Sequence, residues 1–170
     1  MKLFLSLLIF LAALLSSCGG PKVIYAKYGK FSLAQGEVNS YPVSETDINS
    51  FDKCCYTVSE NIFLNRVIHN AAEDYHIYIS VSESLLQTDM ETIIKSDNAL
   101  QVLESKSELI SKIKVNGYLI KKGGQVFTRF VFPEAKSGLL IIYDFASSNE
   151  KLVRNKYDQM VTYLDGKVRL

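Results

Sequence analysis

Leu139-Leu140-Ile141-Ile142-Tyr143-Asp144-Phe145 is an apolar run of strand length, and its reading decides the fold. A strand with one wet face alternates, whereas a run without alternation belongs in the middle of a sheet, covered on both sides. Pro133 to Gly138 form a turn ahead of it. Before that turn, Val126, Thr128, Phe130 and Phe132 share one face of another strand. Gly123-Gly124 divides this strand from Tyr118 to Lys121. Asn116-Gly117 reads as a two-residue hairpin, because both residues tolerate positive φ, and Ile110 to Val115 alternates as its other arm. Connections this short join antiparallel neighbours, since a parallel pair needs a crossover of a dozen residues or more. The class that follows is α+β: an antiparallel, hairpin-linked sheet packed with two main helices.

Working towards the N-terminus, Tyr75 to Val81 is a strand with Tyr75, Ile77, Ile79 and Val81 on one face and His76, Tyr78 and Ser80 on the other. Ile62 to Ala72 fits both a helix and a strand leading into a turn at Asn70 to Asp74. Thr88-Asp89-Met90-Glu91 matches a capping box and predicts the first helix, running to about Ser105 and burying Met90, Ile93, Ile94, Leu100 and Leu103. Val23 to Ala34 suggests two short strands, Gln35 to Ser50 a polar loop, and Cys54 to Val58 a further strand. At the other end, Ser147 and Glu150 stand at capping-box spacing before the second helix. Its predicted stripe is Val153, Tyr157, Met160, Val161 and Leu164, with Gly166 as a C-terminal cap and Lys167 to Leu170 as a tail or edge strand.

Residues 1–17 have the parts of an export signal: Lys2, an apolar stretch from Leu3 to Leu15, and small residues where a peptidase cuts. The stretch is shorter than the roughly 20 residues that a membrane-spanning helix needs. Leu15-Ser16-Ser17-Cys18 resembles the lipobox of bacterial lipoproteins at every place. That resemblance implies cleavage between Ser17 and Cys18, a diacylglyceryl group on the Cys18 thiol, and acylation, palmitate for example, of the new amine. Gly19 rather than Asp after the cysteine points, by resemblance to enterobacterial sorting, to the outer membrane of the cell envelope. Residues 18–22 then form the lipidated cysteine and a short tether, and residues 23–170 one domain, a size that supports its own core.

The chain carries 19 basic and 18 acidic residues. Lys2 belongs to the signal, so the folded part is formally neutral and has no electrostatic case for nucleic acid. Cys54-Cys55 is the only thiol pair left once Cys18 carries lipid. It offers a disulfide or redox pair, set against two small hydrophobes on opposite faces of a strand, which is the favoured reading. The spacing is not Cys-x-x-Cys, and no further cysteine completes a zinc site. His69 and His76 with Glu73 or Asp74 offer imidazole and carboxylate, but read better as surface histidines beside a turn. Lys112, Lys114, Lys121 and Lys122 would gather near the expected Asn116-Gly117 hairpin, as a docking patch or a solvated face. No serine sits in a nucleophile elbow and no P-loop is present. The sequence therefore identifies no catalytic residue, no metal site and no cofactor.

From about Tyr75 to the C-terminus, the order of elements resembles the PsbP-like fold of photosystem extrinsic proteins, a nuclear Ran-binding family and small bacterial lipoproteins. The likeness rests on the helix after a strand, Val115-Asn116-Gly117-Tyr118, the strand Leu139 to Phe145, and the closing helix with Tyr157. It implies a binding or assembly role. The expectation is a non-enzymatic module anchored to a membrane by lipid, with an envelope protein or a small ligand as partner. The alternatives are an enzyme or redox factor using Cys54 and Cys55, and a small-ligand carrier.

Overall fold

The computed structural model describes residues 22–26, 29–40, 62–82, 94, 99–134 and 139–169. Ten strands and two helices occur among them. They are β1 (Lys22–Ala26), β2 (Gly29–Leu33), β3 (Val38–Ser40), β4 (Ile62–Asn70), β5 (Tyr75–Ser82), β6 (Leu100–Ile110), β7 (Ile113–Lys122), β8 (Gln125–Pro133), β9 (Leu140–Ser147), α1 (Glu150–Asp158), α2 (Met160–Lys167) and β10 (Val168–Arg169). A seven-stranded sheet has the order β3-β4-β5-β9-β8-β7-β6, and a small sheet has the order β1-β2-β10. Every pairing is antiparallel. The class is α+β, as the hairpin spacing predicts.

β9 lies fourth of seven, and every residue of it is buried. That is why its sequence does not alternate. One face of the large sheet packs Ile77, Ile79, Leu119, Phe130, Tyr143 and Phe145 against Val153, Tyr157, Met160 and Leu164 of the helices and against Phe31 and Leu33 of the small sheet. The opposite face gathers Ile62, Leu64, Val67, Tyr78, Phe127, Val131 and Ile142 with Ile94, a helical residue.

Ile62 to Ala72 resolves as strand β4 and a turn. A bulge between Leu64 and Arg66 shifts the register, so Leu64 and Val67, three residues apart, lie on one face. This produces the helix-like spacing of the sequence. The same device corrects the first helix, which does not reach Ser105, because Leu100 to Ile110 is the edge strand β6. A second bulge, between Val102 and Glu104, carries Leu103 to the helix-covered face while Leu100 packs on the other. The predicted capping box at Thr88 to Glu91 and the strand at Cys54 to Val58 lie outside the described residues.

Asn116-Gly117 is not a turn. It sits inside β7, paired with Ser107 and Lys106 on one side and with Val131 and Phe130 on the other. The hairpin turns at Ser111-Lys112, whose φ values of 50° and 72° are both positive. Gly117 answers to packing instead: a Cβ there would stand 2.6 Å from the Met160 sulfur, so glycine lets the α2 end of the helical layer settle on the sheet. Gly123-Gly124 does turn the chain, at φ 56° and 88°.

The closing helix is two segments, interrupted at Gln159. Asn149 rather than Ser147 caps α1, its Oδ1 accepting from Leu152 N at 3.3 Å. Ser147 Oγ instead accepts from Asn149 N at 3.0 Å and donates to the Asp74 carbonyl at 2.7 Å, tying the helix start to the β4–β5 turn. Val161 is 42% exposed, because the break at Gln159 rotates it off the buried stripe. Gly166 lies within α2, which ends at Lys167 and passes directly into β10. Within the stretch expected as loop, Val38–Ser40 adds an edge strand to β4.

Candidate functional site

The β2–β3 turn, the β4–β5 turn and the C-terminal end of α2 meet around a buried carboxylate. Glu37 follows Gly36, whose φ of 81° turns the chain back. Its side chain is fully buried and takes part in four hydrogen bonds. Ala34 N donates to Oε2 at 2.6 Å, Tyr75 Oη donates to Oε1 at 2.7 Å, and Lys167 Nζ donates to Oε1 at 2.5 Å and Oε2 at 2.6 Å. Asn70 braces the group from the end of β4. Its Nδ2 donates to the Gln35 carbonyl at 3.3 Å and to Tyr75 Oη at 3.4 Å, while its Oδ1 accepts from Ala72 N and Glu73 N at 3.0 and 3.2 Å. A carboxylate so fully engaged by donors from three elements holds those elements together.

Beside this clasp opens a cleft of ≈ 360 Å³, lined by Tyr75, Phe145, Lys156, Tyr163 and Lys167, with Ala34, Gln35 and Glu73 at its turns. Its floor is aromatic. Tyr75 and Phe145 lie 4.9 Å apart between ring centroids, and Phe145 meets Tyr163 edge-on at 5.9 Å. Below them the Tyr143 and Tyr163 hydroxyls share a hydrogen bond of 2.8 Å. Burial pushes both phenols well above their ordinary pKa, and it does the same to Tyr75, helped there by its bond to Glu37. Burial lowers the pKa of Lys167 against the opposing pull of Glu37. Lys156 Nζ stands 4.9 Å from the Tyr163 ring centroid, a cation–π contact. The surface offers neutral phenols, ammonium groups and a carboxylate around an apolar floor, which suits binding.

A second buried pair lies on the far side of the sheet. Arg129 Nε and Nη2 donate to Asp144 Oδ1 and Oδ2 at 2.7 and 2.9 Å, with side-chain exposures of 1% and 0%. Burial raises the Asp144 pKa, and Arg129 opposes the rise. This pair has no opening to solvent and is structural.

Ser17, Cys18, Cys54 and Cys55 all lie outside the described residues. His69 and His76 are paired directly across the β4–β5 hairpin, with ring centroids 6.1 Å apart, and His76 continues the stack to Tyr78 at 6.0 Å. Among the described residues no three histidine, cysteine or acidic side chains are grouped to hold a metal. The lysines do not form one patch. Lys112 and Lys114 lie at one end of β7 and Lys121 and Lys122 at the other, about 23 Å apart along the strand, because the turn is at Ser111-Lys112. Nothing local in the sequence singles out Glu37 or Lys167. They are 130 residues apart, and no local pattern joins them.

No protein-family model matches the sequence, and no curated protein matches it. Among solved structures, the solution structure of cyanobacterial PsbP (CyanoP) from Synechocystis sp. PCC 6803 is similar. The TM-score is 0.54 at 14% identity, over 86% of this chain and 95% of that one. The fold is PsbP-like. The likeness extends well beyond the stretch from Tyr75 onward that carries it in the sequence. At this identity it speaks for the arrangement of the chain and not for any site.

Proposed function

We propose that the protein is a lipid-anchored, non-enzymatic binding or assembly module of the bacterial cell envelope. The observation that carries the anchor is Leu15-Ser16-Ser17-Cys18 at the end of a short apolar signal. Two or three acyl chains on one residue hold a protein firmly where one chain alone binds marginally. The binding role is supported by the open aromatic cleft beside the Glu37–Lys167 clasp and by the PsbP-like fold. Among the described residues no helix is long and apolar enough to cross a membrane.

The test is the mass of the N-terminal peptide from cells fed labelled palmitate. A Cys18 start carrying acyl groups is expected, with label and processing both lost in Cys18→Ser. An unacylated wild-type N-terminus, or a Cys18→Ser protein processed and fractionating like wild type, refutes the anchor. Crosslinking of the anchored protein in intact cells then tests the binding role: a specific co-purifying envelope protein or ligand is expected. Thiol counting before and after reduction separates this reading from a redox factor, which requires Cys54 and Cys55 to cycle.

A further inference from the structure

The cleft beside Lys167 contains two charged groups that form no contact ion pair among the described residues. Lys167 is matched by Glu37. Lys156, half-buried over the Tyr163 ring, has no carboxylate partner among the described residues. Glu73 is exposed on the opposing turn, and it and Lys156 both act electrostatically on Lys167, so the two face the same small volume. What complements one spare ammonium and one spare carboxylate above an aromatic floor is a ligand carrying both signs. Tyr163 already accepts a cation against its ring, so the floor tolerates charge as well as carbon.

Position says where such a ligand comes from. Lys22, the first residue of β1, pairs with Leu33, and Leu33 is followed at once by Ala34 and Gln35 of the cleft wall. Three residues, Gly19 to Pro21, separate Cys18 from Lys22, so the four Cα steps span at most about 14 Å when fully extended. An acylated Cys18 therefore brings this rim, rather than the β6–β7 tip, to the bilayer surface. At ≈ 360 Å³, open and edged by polar groups, the cleft suits a headgroup better than an acyl chain.

We propose that this cleft is a headgroup subsite for zwitterionic phospholipid of the anchoring membrane, Lys156 meeting the phosphate and Glu73 the ammonium. The subsite rests on the lipid-anchor reading for the source of its ligand. The test uses the full acylated protein in a non-phospholipid detergent, titrated with glycerophosphoethanolamine, glycerophosphoglycerol and inorganic phosphate and followed by calorimetry. Saturable binding is expected, tightest for glycerophosphoethanolamine. Lys156→Gln weakens it about tenfold, the loss of one charge-assisted bond. Glu73→Gln removes the preference over glycerophosphoglycerol. Both side chains lie at the rim, so both variants are expected to fold, as circular dichroism checks. Acylated protein that binds none of the three, or binds equally in both variants, overturns the subsite and leaves the anchor standing. Glycerophosphoethanolamine binding by protein whose Cys18 mass shows no acyl group overturns the membrane source together with the anchor.

Discussion

Two buried ion pairs among the described residues behave as different kinds of object. Arg129 and Asp144 face each other in register on adjacent central strands, so backbone pairing alone brings them together. Neither touches solvent. Glu37 and Lys167 come from opposite ends of the chain and meet only because a turn, two sheets and a helix end converge. The lysine keeps 14% of its side chain exposed and lines a cleft. Sealed within a sheet, a charge pair restricts which packing is allowed, since the desolvation it costs is recovered only in one geometry. At a rim, the same chemistry clasps elements while leaving room for a ligand beside it.

The sharpest test of this contrast is Asp144→Asn. It strands a guanidinium away from water and is expected to destabilise by about 3–5 kcal/mol in urea unfolding. Replacing both partners, as Arg129→Met with Asp144→Leu, is expected to recover most of that loss. A single variant as stable as the wild type means that the pair is hydrated, and the contrast collapses. Glu37→Gln comes next, at about 2 kcal/mol, because Lys167 can turn its amine outward once its partner is gone. If it proves more damaging than Asp144→Asn, the clasp and not the sealed pair governs stability.

The last effect is absent near neutral pH and appears only under alkaline conditions. Burial raises the folded-state pKa of Tyr143 and Tyr163, so the folded protein retains protons that the unfolded chain releases above pH 10. Their contribution is complete below that pH and is lost as pH rises, at about 1.4 kcal/mol per pH unit for each phenol. Lys167, its pKa lowered by burial, acts in the opposite sense, and its contribution saturates near the unfolded lysine value of about 10.4. Urea unfolding at stepped pH is expected to show the decline. A Tyr143→Phe variant with an unchanged slope assigns the decline to other groups.

Much of the sheet is legible in the sequence because its signals are local. The Gly123-Gly124 turn, the alternation of Val126 to Phe132 and the run Leu139 to Phe145 each state their own structure. The two strands with helix-like spacing share one physical cause. At both bulges an extra residue changes the period from two to three, and in Leu64…Val67 and Leu100…Leu103 that spacing is the helix's own. β6 adds a second difficulty, since an edge strand with most residues exposed offers no alternation to detect. Asn116-Gly117 misleads because glycine has two uses: here it admits Met160, while the real turn holds Ser111 and Lys112 at positive φ without any glycine. The site is less legible still. Tyr75 and Asn70 are readable as strand and turn, but the partnership of Glu37 and Lys167 is a property of the closed fold alone.

The small sheet has a mechanical consequence. β1 is an edge strand held by β2 alone, and Lys22 and Leu33 sit at the same end of their hairpin. A load applied at Lys22 opens the backbone pairs one after another, as a zip fastener opens, instead of straining them together in shear. Releasing Lys22–Ala26 adds about 17 Å of slack before the force reaches the main sheet. The first strand is thus placed to act as a sacrificial extension, yielding length while the seven-stranded body keeps its shape.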